Sequence, residues 1–280
     1  MDTRRVYAAS RLTRRENHAS VRTTPQQVQY EDRNRTHLID SLKILRSAFG
    51  AISETPMLVD VIHARLKGRN RVSMLDVGIA DGSSAIKVMA AFADRGVRLD
   101  LTGVDPHIPA TAYSQDWIYS PKLMVASFDE FEPRCRYDVV NATQSLYYLG
   151  KLDTALRKLV SLLSRDGVLA ITIWDDGCIL KILHDRYLSP RDPAPGPKDI
   201  ANALSGILPP TYTTQTYYFE GPIALNGFTD EGRLEESVID IARRSAHVSN
   251  RARMLAYTYI RSLGPTSVRR NTIIVASPSC

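Results

Sequence analysis

Apolar residues recur at helical spacing across positions 36–66: Leu38, Ile39, Leu42, Leu45 and Phe49, then Leu58, Ile62 and Leu66. Pro56 stands where the second helix would begin, a position that tolerates the missing N–H of proline. After a polar break at 67–71, a short apolar run at 72–77 ends in Gly78 and reads as a buried strand. Helical periodicity returns at 83–94 and 152–163. Further strands are predicted at 98–104, 123–126, 137–141, 168–174, 212–219 and 272–276.

Seven strands largely alternating with helices predict an α/β fold: a doubly wound, mostly parallel seven-stranded sheet with helices on both faces. Residues 191–198, with three prolines and a glycine, read as a loop over the sheet's active edge. Helical stretches within 221–265 predict an insertion before the last strand. The 36–66 helices lie outside the sheet pattern and read as an N-terminal lid.

Composition narrows the class. With 44% hydrophobic and 24% charged residues the chain reads as globular, and no apolar run approaches the roughly 20 residues that span a bilayer. Residues 1–22 carry six arginines against Asp2 and Glu16, so they hold +4 of the formal net charge of +6. A nearly neutral body argues against a nucleic-acid-binding face. The 1–35 segment reads as a basic flexible arm; it lacks a secretory h-region, although its Arg/Ser-rich, acid-poor composition is similar to a transit peptide. Cys135, Cys178 and Cys280 lie far apart and the six histidines are scattered, so no metal site is expected and a cytoplasmic, reducing location is.

The most informative stretch is residues 74–84, Met-Leu-Asp-Val-Gly-Ile-Ala-Asp-Gly-Ser-Ser. A strand running through a small-residue turn into a helix lets the backbone approach a ligand and points helix N–H groups at it. The small residues are Gly78, Ala80 and Gly82, flanked by Asp76 and Asp81. Two carboxylates would repel a pyrophosphate but suit a ligand carrying an ammonium and a sulfonium, which favours S-adenosylmethionine over NAD. Asp105 closes the second strand, where a carboxylate can accept hydrogen bonds from two ribose hydroxyls. Ser127 and Phe128 end the third strand and flank an adenine in this reading. The fourth strand ends in the segment 138–148, which includes Thr143 and is expected to face the bound cofactor.

Together these stretches resemble the class I S-adenosylmethionine-dependent methyltransferases over roughly residues 70–176. The resemblance implies a Rossmann-like methyltransferase fold. Its acid-x-Gly-x-Gly-x-Gly turn is kept at Asp76, Gly78 and Gly82 and replaced at Ala80, its ribose acid falls on Asp105, and its fourth-strand segment falls on 138–144. The resulting division is a single domain over 36–280: lid 36–70, cofactor-binding core 71–176, and substrate-side elements 177–280. A narrower resemblance, carried by Thr-Gln-Ser-Leu-Tyr-Tyr-Leu at 143–149 and the helix and strand that follow, is to the histamine N-methyltransferases. It implies substrate contacts from Gln144 and Asn271, with Glu54 the best candidate for an amine-binding glutamate; Tyr147 and Tyr148 fit as further hydrogen-bonding residues that orient an acceptor.

Methyl transfer depends chiefly on proximity and alignment, so hydrogen-bonding residues such as Gln144 and Tyr147 can serve without a strong base. The expected acceptor is a small molecule with an amine or aza-aromatic nitrogen. An O-methyltransferase or a cofactor-binding, non-catalytic partner protein are the alternatives. The place where nucleic-acid and protein methyltransferases carry Asn/Asp-Pro-Pro-Tyr/Phe reads Asn141-Ala-Thr-Gln here, which counts against that class.

Overall fold

The computed structural model describes residues 39–49, 52–225, 233–243 and 248–279. The basic arm expected at 1–35, and Leu38, lie outside them. Helix α1 covers 39–48. There follow α2 (Thr55–His63), β1 (Arg71–Val77), α3 (Ser83–Ala93), β2 (Arg98–Asp105), a short α4 (Ala110–Tyr113), β3 (Lys122–Val125) and β4 (Tyr137–Thr143). The second half comprises α5 (Leu152–Ser161), β5 (Leu163–Trp174), α6 (Ile179–Leu183), α7 (Pro197–Ser205), β6 (Tyr212–Ala224), α8 (Arg233–Ala242), α9 (Asn250–Ser262) and β7 (Thr266–Pro278).

The seven strands form one sheet in the order β3-β2-β1-β4-β5-β7-β6. The first five pair in parallel, and β7 runs antiparallel between β5 and β6. This is the doubly wound sheet the pattern predicts, and its strand order reverses between β1 and β4, where ligands bind on open α/β sheets. Side chains alternate between two cores. Leu75, Val77, Val140, Ala142, Leu169 and Ile171 pack with α5–α9 and α1 on one face. Met74, Leu99, Val139, Val168 and Ala170 pack with α2 and α3 on the other.

Three boundaries differ from expectation. β5 starts at Leu163, paired with Tyr137 before an irregularity in register; the polar residues 164–166 break the apolar pattern that marks a strand. The β6–β7 hairpin pairs continuously from Tyr212↔Pro278 to Ala224↔Thr266, so the insertion begins after 224. Pro197 and Lys198 belong to α7, so the expected loop 191–198 is shorter. Pro197 sits in the first helical turn, and the Gly196 N–H donates to Asp199 Oδ2 at 2.8 Å.

The turn after β1 is set by backbone geometry. The Gly78 N–H donates to the Val104 carbonyl at 2.8 Å, and Gly78 has φ 79°. A Cβ there would meet Ser145 Cβ at 2.3 Å. Only glycine fits both the left-handed backbone and the approach of the loop after β4. Gly78→Ala should therefore lower the unfolding free energy by about 2–4 kcal/mol, the sum of left-handed strain and overpacking. Urea unfolding of the variant checks this.

Candidate functional site

The turn and the end of β2 are joined by one carboxylate. Asp105 Oδ2 accepts from the Ala80 N–H at 3.0 Å, and its Oδ1 accepts from the His107 N–H at 2.8 Å. A carboxylate offers about four acceptor sites, so capacity remains for hydroxyls of a ligand. Ala80 has φ 51°, a left-handed conformation in a residue with a Cβ, at the position where the resembled family carries its middle glycine. That departure costs on the order of 1 kcal/mol.

Asp76 and Asn141 are register partners on β1 and β4. Asn141 Nδ2 donates to Asp76 Oδ1 at 2.7 Å, and the Thr143 hydroxyl donates to Asn141 Oδ1 at 3.1 Å. The chain of bonds fixes the amide's orientation. Asp76 is buried, and among the described residues no lysine or arginine pairs with it. Burial pushes its carboxyl up to about 6, the Asn141 hydrogen bond acting in the opposite direction and the charge of Asp105 adding to the rise.

Asp81 has different partners. It pairs with Arg46 of α1 at 2.9 Å and accepts from the Ser83 N–H at 3.2 Å and the Ser83 hydroxyl at 2.9 Å. Burial pushes this carboxyl upward, but the Arg46 charge and the Arg46 and Ser83 hydrogen bonds outweigh it and hold it below the ordinary value. The carboxylate expected to face a cationic ligand is thus already neutralised by the chain. Arg46 also donates to the Ser83 hydroxyl, so α1 is tied to the start of α3. Gln115 donates to the Asp81 carbonyl, and a Cβ on Gly82 would meet the Trp117 ring at 2.7 Å. The segment after α4 thus lies directly against the turn.

A second polar cluster sits further along the same edge. Asn271 opposes Trp174 at the end of β5, and its Nδ2 donates to Glu54 Oε1 at 3.2 Å. Arg269 Nη2 lies 3.0 Å from Glu54 Oε2, off the hydrogen-bonding direction, and donates to the Ile52 carbonyl at 3.2 Å. Its guanidinium stacks on Phe49 at 4.0 Å and lies 5.1 Å from the Phe219 ring. Glu54, Arg269 and Asn271 are 9%, 5% and 2% exposed. Beside them Gln144, with φ 56°, donates its main-chain N–H to Thr172 O at 2.8 Å. Among the described residues, Glu54 Oε2, Gln144 Oε1 and Nε2, Asn271 Oδ1, Arg269 Nε and Thr172 Oγ1 are buried without a hydrogen-bond partner, as are Ser145 Oγ beside the Gly78 turn and Arg243 Nε just after α8. Buried polar groups are normally paired, so Gln144, Asn271 and Arg269 retain hydrogen-bonding capacity that the chain itself does not use.

Three expected site residues are engaged in packing or turn contacts of their own. Phe128 is buried in the core with the Lys158 ammonium 5.0 Å from its ring, because the turn after β3 points it under α5 rather than outward to an adenine. The Ser127 hydroxyl donates to Glu130 Oε2 at 2.7 Å and serves its own turn. Tyr147 is 3% exposed; its ring stacks on Trp174 at 4.3 Å and its hydroxyl accepts from the Trp174 N–H, so it packs in the core. Tyr148 is 45% exposed. Asp138 is also remote: it opens β4 and binds Ser73 and Arg69. Sequence reasoning missed Arg46, Trp117 and Arg269, and assigned no role to Asn141. Nothing in a one-dimensional pattern links the two arginines to Asp81 and Glu54.

No protein-family model matches the sequence, and no curated protein does. Solved structures match over most of the chain. YcgJ from Bacillus subtilis is 12% identical with TM-score 0.55, covering 80% of this chain and 99% of its own. A Bacillus halodurans protein provisionally assigned as a methyltransferase is 13% identical with TM-score 0.53, covering 79% and 97%. The cyclase SpnF is 15% identical with TM-score 0.51, covering 80% and 82%. At these identities the likeness is one of fold, the Rossmann-like methyltransferase fold. A cyclase among the matches shows that the fold alone does not set the reaction. The narrower likeness to histamine N-methyltransferases is not shown by them. Among the described residues, no helix is long and apolar enough to cross a membrane, and no group of three or more His, Cys, Asp or Glu side chains is placed to hold a metal.

The raised Asp76 carboxyl has a sign that can be checked. As pH falls, the folded chain takes up this proton before the unfolded chain does, so Asp76 makes stability fall as pH rises from about 4 to about 6. Asp76→Asn should flatten that window and raise the unfolding free energy at neutral pH by at most about 3 kcal/mol. Urea unfolding across pH tests both effects.

Proposed function

We propose that this chain is an S-adenosylmethionine-dependent methyltransferase acting on an amine or aza-aromatic nitrogen of a small molecule. The observation that carries the reading is Asp76, a buried carboxylate without a cationic partner among the described residues, beside a turn that runs left-handed at Gly78, Ala80 and Gly82 into the start of α3. A ligand with an ammonium and a sulfonium supplies the missing positive charge. Asp105 supports the same reading: its remaining acceptor capacity, at the end of β2, suits a pair of ribose hydroxyls.

When bound, S-adenosylmethionine would supply a sulfonium methyl group for an acceptor lone pair, the S–C bond breaking to a neutral thioether and the positive charge passing to the acceptor, which would lose it to water as a proton where it carries an N–H. Asp105 and Asp76 hold the two ends of the cofactor. Gln144 and Asn271, neutral amides, orient the acceptor without quenching its lone pair. In this reading α1 is a lid, because Arg46 reaches the turn while Phe49 covers Arg269 at the acceptor end. Such a cover excludes water from the transfer.

Asp105→Ala should weaken binding of S-adenosylhomocysteine tenfold to a hundredfold, the effect of losing one or two charged hydrogen bonds. Isothermal titration measures it, and unchanged affinity sinks the cofactor assignment. Gln144→Leu should lower kcat/KM for the acceptor by about tenfold or more while the same titration gives near wild-type cofactor affinity.

A further inference from the structure

We propose that the acceptor site selects an uncharged, planar nitrogen heterocycle and rejects ammonium and carboxylate compounds, with the buried Glu54–Arg269 pair as the selector. The inference rests on the methyltransferase reading and narrows its acceptor. The glutamate expected to bind an amine is already held: Arg269 Nη2 stands 3.0 Å from Glu54 Oε2. The arginine is in turn fixed by Phe49, Phe219 and the Ile52 carbonyl. An alkylammonium must displace this guanidinium and leave it buried without a counter-ion. A carboxylate placed against Arg269 meets Glu54. A neutral ring disturbs neither, and the desolvation cost of an unpaired buried charge makes the difference large.

The unmet hydrogen-bonding capacity gives the ligand's complement. Asn271 Oδ1 and Gln144 Oε1 accept, while Gln144 Nε2 and Arg269 Nε donate. A ring nitrogen lone pair beside an N–H group answers both kinds. The placement agrees: Gln144 follows β4 and Asn271 lies on β7, the two strands flanking β5. β5 runs between them, so their backbones stand about 10 Å apart, two interstrand spacings.

The test uses the full chain loaded with S-adenosylhomocysteine and three one-ring probes at about pH 7.5: 4-aminopyrimidine (neutral), 2-phenylethylammonium (cationic) and benzoate (anionic). Ligand-observed NMR titrations give their relative affinities. The wild type should bind 4-aminopyrimidine at least tenfold more tightly than either charged probe. Arg269→Met should shift preference toward the ammonium by at least tenfold, and Glu54→Gln toward benzoate by a similar factor. If either variant does not fold, the wild-type ranking still decides. Equal or tighter binding of a charged probe, or no binding of 4-aminopyrimidine, overturns the inference. A titration with S-adenosylhomocysteine alone separates the two readings: absence of heat defeats the methyltransferase reading, whereas normal heat with charged-probe preference defeats only the selector.

Discussion

The carboxylate of Asp105 joins the two loops on which the site depends. One oxygen holds the Ala80 N–H in the turn after β1 and the other holds the His107 N–H after β2. Chain segments leaving the ends of neighbouring parallel strands have backbone donors that the sheet no longer pairs, and an unpaired buried donor is costly. A single acidic residue meets two of them and clamps the turn in a left-handed course. With that course set, Gly78 lies against Ser145 and Gly82 against Trp117, so the loops after β4 and α4 are positioned by contact with the turn.

Polarity along the carboxyl edge is distributed unevenly. At the β1 end every carboxylate has a hydrogen-bond donor: Asn141 for Asp76, Arg46 and Ser83 for Asp81, main-chain N–H groups for Asp105. At the β7 end a neutral ion pair sits among amide and hydroxyl atoms with no partners. Desolvating such atoms costs roughly 1–3 kcal/mol each, and the two core faces that sandwich the sheet stabilise the fold enough to carry it. Helix α1 and the residue that follows it touch both ends, through Arg46 and Phe49. The two ends thus share one anchoring element.

The pattern of apolar positions determined the seven strands, their alternation with helices and the strand–turn–helix at 72–94, because buried parallel strands must be apolar on both faces. Local chemistry likewise placed Asp76, Gly78, Gly82 and Asp105 beside one another: they end two strands that the alternation makes neighbours. Strand ends interrupted by polar residues, as at 164–166, escaped the pattern, since periodicity reports burial and not pairing. Which charges meet was decided only by tertiary structure. Arg46 and Asp81 are paired across two elements, and Glu54 and Arg269 are joined from opposite ends of the chain. The side chains of Phe128 and Tyr147 turned into the core because packing against α5 and Trp174 outweighs any local preference. Sequence spacing carries the backbone's hydrogen-bonding demands, but the partners of long side chains depend on distances that exist only after the sheet has closed.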